Sequence, residues 1–177
     1  MKKQKLSSQH CQHHDFTIFG ISTTLVDYTL AFHLNAQLNL NLTRQKDIPV
    51  YLNETGASPF SLFFSLDEEQ TEYHLIQDIS GQKQMMNLFL LLIRGQLSAI
   101  RLTEIQKSIS QIADIFDVNQ IVLQENPKGK EAKTLKFINN LITDLEYHKL
   151  DMNKAYEESR IKLKPTQQKA VRKLYSQ

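Results

Sequence analysis

The spacing of apolar positions changes period several times along this chain, and each change marks an expected element. In "DFTIFGIS" the residues Phe16, Ile18 and Gly20 alternate with Thr17, Phe19 and Ile21, a period of two that suits a strand. The next stretch, "TTLVDYTLAFHLNAQL", places Val26, Leu30, Leu34 and Leu38 at every fourth position, with Ala31 widening the stripe, and so reads as a helix. Thr24, followed by Asp27 three positions on, resembles a capping box and sets the expected helix start near Thr24.

Three short runs follow, "DIPVYL", "SPFSLFFSL" and "TEYHLIQDI", rich in aromatic and branched residues and separated by the turn-like "NETGA" and "DEEQ". These read as strands, with Phe60, Leu62, Phe64 and Leu66 on one face. "MNLFLLLIRG" is apolar at consecutive positions, which places it in the middle of a sheet with both faces covered. From Leu102, the steps to Ile105, Ile109, Ile112 and Phe116 give an amphipathic helix, with Thr103 and Gln106 offering its cap, and "VNQIVLQ" returns to strand. After "NPKGK", the residues Leu135, Ile138, Leu141, Ile142 and Leu145 form another helical stripe, which must bury itself against something. The expected fold is α+β: a mostly antiparallel sheet of about five to six strands with two packed helices, plus a C-terminal helical extension. Residues 1–14 read as a flexible polar leader, 15–126 as the α+β domain and 127–177 as a basic helical tail.

Within that pattern, the stretch from Asp15 to Leu42 is similar to the opening of the IPExxxVDY family of small bacterial proteins. Gly20, Ile21 and Ser22 end the strand, and Asp27 and Tyr28 follow on the helix. The segment from Tyr73 to Gly95 resembles the family's later signature. Ile79 is kept, Ser80 and Gly81 stand where Pro and Glu would be, and Met85, Met86 and Asn87 replace Val, Asp and Tyr. The resemblance spans roughly Asp15 to Glu125. It implies a small α+β domain and carries no assigned activity.

Charge then divides the chain more sharply than its net value of +2 suggests. The leader has three lysines and no acid, the stretch to residue 126 has six Lys/Arg against thirteen Asp/Glu, and the remainder has twelve against six. An acidic domain thus carries basic ends. In the tail, Arg160, Lys162, Lys164, Lys169, Arg172 and Lys173 lie close together, with Tyr175 beyond them. Such a cluster suits phosphate contacts with one stacked base, so nucleic acid is one candidate partner. Docking on the acidic domain, or on a second copy, is the other.

The leader's "HCQHHDF" brings His10, Cys11, His13 and His14 together, the right donors for zinc or copper, but no paired ligands answer them from elsewhere. Asp67, Glu68, Glu69 and Glu72 in "DEEQTE" read as a solvated acidic turn rather than a cation site. His74, beside Tyr73, has the chemistry of a general base but no nameable partner. Nucleophile elbows, phosphate-binding loops and metalloprotease motifs are absent from the sequence, and five glycines leave little material for a phosphate cradle. The expectation is therefore no catalytic residue, no cofactor and no metal. The longest apolar run, Leu88 to Ile93, is too short to span a bilayer, and one cysteine fits a reducing compartment. Together these features suggest a cytoplasmic, non-enzymatic protein working through contacts with another protein or with itself, the alternative being a nucleic-acid binder that uses its basic end.

Overall fold

Strong alternation along the chain resolves into a seven-stranded sheet in which every pairing is antiparallel. The computed structural model describes residues 16–53, 56–79, 86–122 and 127–162. In chain order the elements are β1 (Phe16–Thr23), α1 (Asp27–Leu38), β2 (Thr43–Arg44), β3 (Ile48–Asn53), β4 (Gly56–Leu66), β5 (Glu72–Asp78), β6 (Asn87–Arg94), α2 (Ala99–Ser110), β7 (Ile115–Gln120) and α3 (Lys130–Lys162). Across the sheet the order is β2-β4-β5-β6-β1-β7, with β3 also paired to β4. The strand that is apolar at consecutive positions, β6, lies between β5 and β1, where both faces are covered.

The two faces carry separate cores. On one, Phe19, Ile21, Leu75, Phe89 and Leu91 pack under Leu30 and Leu34 of α1 and Ile105 and Ile109 of α2. On the other, Ile18, Ile48, Leu62, Ile76 and Leu92 pack under Ile138, Leu141, Ile142 and Leu145 of α3. The molecule is thus layered helix, sheet, helix, with two helices on one face and one on the other. Of the stripe expected to bury itself, Leu135 alone stands outside this core. It is half-buried on another side of α3.

Several local expectations are corrected. α1 begins at Asp27 and has no side-chain cap, because the Thr23 hydroxyl instead accepts from Leu25 N at 3.0 Å and the chain stays extended to Val26. Val26, at the head of the expected stripe, is 59% exposed. α2 is capped by Ser98, whose Oγ accepts from Arg101 N at 3.2 Å, while the Thr103 hydroxyl back-bonds to Ala99 O inside the helix. Phe116 belongs to β7 and is exposed, and β7 starts three residues before the expected strand. In β4 the single apolar face becomes a doubly buried centre, since Ser61 and Phe63 are as buried as Phe60 and Leu62 while Leu66 is exposed. β2, two residues long, has no period for sequence reading to find.

Two close approaches fix the ends of elements. Gly95 follows β6 at φ +159°, and a Cβ there would lie 2.9 Å from Thr71 Cγ2. At the β7 edge, Gln106 of α2 donates its side-chain N–H to Val118 O at 2.8 Å, occupying an acceptor that an added strand would need.

Candidate functional site: the α3 face of the sheet

Two features distinguish the α3 face: a cluster of charges that fastens the helix, and an apolar groove beneath its first turns.

Register builds the charge cluster. Phe16 and Glu72 both stand opposite Arg94, on the strands either side of it, so the three side chains form a row across β1, β6 and β5. The Arg94 guanidinium lies 4.9 Å from the centre of the Phe16 ring. Glu146 and Lys149, three apart on α3, come down on this row. Lys149 Nζ donates to both Glu72 oxygens, at 3.0 and 2.7 Å, and Arg94 Nη1 donates to Glu146 Oε1 at 2.9 Å. His74, two residues along β5, shares the face and is 1% exposed, with its Nε2 3.1 Å from Glu72 Oε2. Its Nδ1 has no hydrogen-bond partner among the described residues, and the rings of Phe16 and Phe64 lie 6.2 and 5.1 Å away. The hydrogen bond from His74, supported by Lys149, holds the Glu72 carboxyl down at about 2, against the opposing effect of burial. Burial pushes the His74 imidazole below its ordinary range.

The expected acidic cluster therefore divides. Asp67 organises the turn, its Oδ1 accepting from Glu69 N and Thr71 N at 2.9 and 2.8 Å, while Glu72 belongs to the strand and fastens α3. His74 is enclosed beneath α3. The helix gains further hold where Asp144 Oδ2 accepts from Tyr51 N at 2.8 Å and Asn140 Nδ2 donates to Tyr51 O at 3.4 Å, satisfying backbone groups of β3.

The groove has a volume of about 800 Å³ and lies where the first turns of α3 meet the ends of the strands. Its floor is Phe60, Ile76, Leu90 and Ile121, its wall is Phe137 and Ile138, and Gln77, Asp78, Asn87, Lys133 and Thr134 edge it. Ile121 lies across β1 over Gly20, at a distance where even a Cβ would make only ordinary contact, 3.6 Å from Ile121 Cδ1. Around the mouth, Ile79, Met86 and Leu88 are all exposed, Leu88 to 61%. Such a gathering of apolar side chains on one rim is the usual mark of a contact surface.

Sequence reading did not find the groove, because its members come from three strands, the segment after β7 and a helix, and no local spacing joins them. Of the tail cations, Arg160 and Lys162 fall in the last turn of α3, while Lys164, Lys169, Arg172 and Lys173 lie outside the described residues, as do His10, Cys11, His13 and His14. Among the described residues no group of three or more His, Cys, Asp or Glu could hold a metal ion, and no helix is long and apolar enough to cross a membrane.

No family model matches this chain. No curated protein matches it either.

Proposed function

We propose that this protein acts through protein–protein contacts, with the groove beneath α3 as its docking surface. The observation that carries the reading is the rim: three large apolar side chains, Ile79, Met86 and Leu88, stand exposed around a groove whose floor is already apolar. A ligand confined to the groove would leave much of that rim in water, whereas a protein segment would cover both. The β7 edge supports the choice of face, because Gln106 blocks the pairing route by which a strand could otherwise be added.

The test compares the wild-type chain with Leu88→Glu in affinity capture from cells that express it. Each recovered protein is then purified and titrated against both forms. A partner whose affinity falls at least about tenfold with Leu88→Glu supports the reading. Equal affinity for both forms removes the groove from it. Leu88 is exposed, so the variant is expected to keep the wild-type melting curve.

A further inference from the structure

The groups that fasten α3 are balanced in charge only while His74 is neutral. Lys149 and Arg94 stand against Glu72 and Glu146, two cations to two anions, all partly buried. Lys149 donates to both oxygens of Glu72, so that carboxyl is ionised and can only accept. The hydrogen bond between His74 and Glu72 must therefore run from Nε2–H, which leaves Nδ1 as the bare nitrogen of the ring. A second proton would have to go there. Nδ1 has no partner among the described residues, and the whole residue is 1% exposed. From the elements around it, β1 and β4 bring only the rings of Phe16 and Phe64, β6 brings Leu92 opposite and Arg94 beyond, and α3 brings Glu146 and Lys149. A proton on Nδ1 would add a fifth, unbalanced charge and an orphaned donor to an enclosed site. In water the same imidazole takes a proton near its ordinary value of about 6.5.

We propose that His74 is an acid-sensitive latch: its ring can accept a proton only by reaching water, and it reaches water only when α3 lifts, which parts Lys149 from Glu72 and Glu146 from Arg94. The device stands apart from the docking surface above. Asn140, Asp144, Glu146 and Lys149 tie α3 to the strands through side chains, so the helix can rise without breaking any backbone pairing of the sheet. The sheet keeps α1 and α2 on its other face. What the rising helix uncovers is apolar, with Ile18, Leu62 and Leu92 at its centre. Because the open form takes a proton that the closed form refuses, opening grows more frequent as pH falls below about 6.5, by at most about tenfold per pH unit for one proton.

The test follows amide hydrogen exchange of the full chain by mass spectrometry, corrected for the intrinsic effect of pH, together with the ring nitrogens of His74 by NMR. A helix released from its sheet holds its own hydrogen bonds poorly, so opening registers as exchange. Between about pH 7 and about pH 5, opening of the stretch from Ile138 to Lys149 is expected to rise at least about threefold, while β1 and β6 stay protected. The His74 ring should carry its proton on Nε2 at neutral pH and gain the second along the same curve. His74→Gln should flatten the rise. His148, also on α3 and close to Lys46, Asp47 and Asp151, is the control, and His148→Gln should leave the rise in place.

A ring that gains its second proton while α3 stays closed, a ring with its proton on Nδ1 at neutral pH, or strands that open together with α3 would each overturn the latch. A rise that survives His74→Gln, a rise that vanishes with His148→Gln, or no rise at all overturns it equally. If His74→Gln fails to fold, the wild-type comparison of ring and helix decides alone.

Discussion

Replacing Leu141 with Ala tests whether α3 belongs to the folded domain or merely trails from it. Leu141 is 0% exposed and sits in the same cluster as Ile76, Leu90 and Leu92, whose strands are held in register on both sides. A floor held that firmly cannot move up to fill the space left by the missing atoms. The cost should therefore fall in the upper part of the roughly 2–5 kcal/mol range for such truncations. Helix propensity works the other way, since Ala favours helix slightly more than Leu, so any loss is a packing loss. Leu135→Ala is the internal control: Leu135 is half-buried outside the core, and losing about half of the roughly 1.5–3 kcal/mol of a full burial predicts about 1 kcal/mol. Urea unfolding followed by far-UV circular dichroism suits a chain without tryptophan, and an unchanged m-value would show that the same surface is exposed each time. Equal losses for the two variants, or a loss below about 1 kcal/mol for Leu141→Ala, would refute the seating of α3 on the sheet.

Acid should loosen α3 in two stages. His74 has its folded pKa pushed below 6.5, so its neutral form is favoured in the native state, and stability is lost as pH falls below 6.5. Glu72, depressed from 4.5 to about 2, contributes stability that is complete above 4.5 and lost as pH falls toward 2. Urea midpoints measured across pH should show both stages, Glu72→Gln should remove the lower one, and a midpoint flat from neutrality to about pH 4 would contradict the upper. Gly95→Ala should destabilise by roughly 1–3 kcal/mol, because its φ is unfavourable for a side chain and the new Cβ meets Thr71; a thermal melt matching wild type would contradict that contact. Ser98→Ala should cost about 1 kcal/mol through loss of the α2 cap, whereas Thr24→Ala, outside any cap, should stay within about 0.5 kcal/mol by the same urea assay.

How much was legible in the sequence depended on whether the deciding interaction was local. The long runs announced themselves, and β6 could be placed at the centre of the sheet from "LFLLLI" alone, because only a strand covered on both sides tolerates six apolar residues in succession. Caps were misplaced because Thr24, Ser98 and Thr103 are all competent to cap, and whether each does so depends on where tertiary packing lets the backbone turn. Phe116 fitted the stepping of α2 and went instead to an exposed position in β7, where Ile115 and Val118 supply the inward contacts.

The site was hidden for a different reason. Glu72 and Lys149 are 77 positions apart, and nothing in either neighbourhood marks them as partners. Arg94 stands opposite Glu72 only because β5 and β6 pair in one particular register, and a slip of one residue would turn Glu72 and His74 to the other face. The same register explains why two unlike features share one side of the sheet. Even-numbered positions of β5 and β6 face α3, so Glu72, His74 and Arg94 at one end, and Ile76, Leu88 and Leu90 toward the other, meet the same helix. Charged residues fasten α3 near Glu146 and Lys149, where the groups are partly buried and mutually paired. Nearer its start, the helix stands over an apolar groove that the described residues leave open. A partner arriving there meets a helix already anchored at its far side, so its binding energy need not be spent on ordering α3.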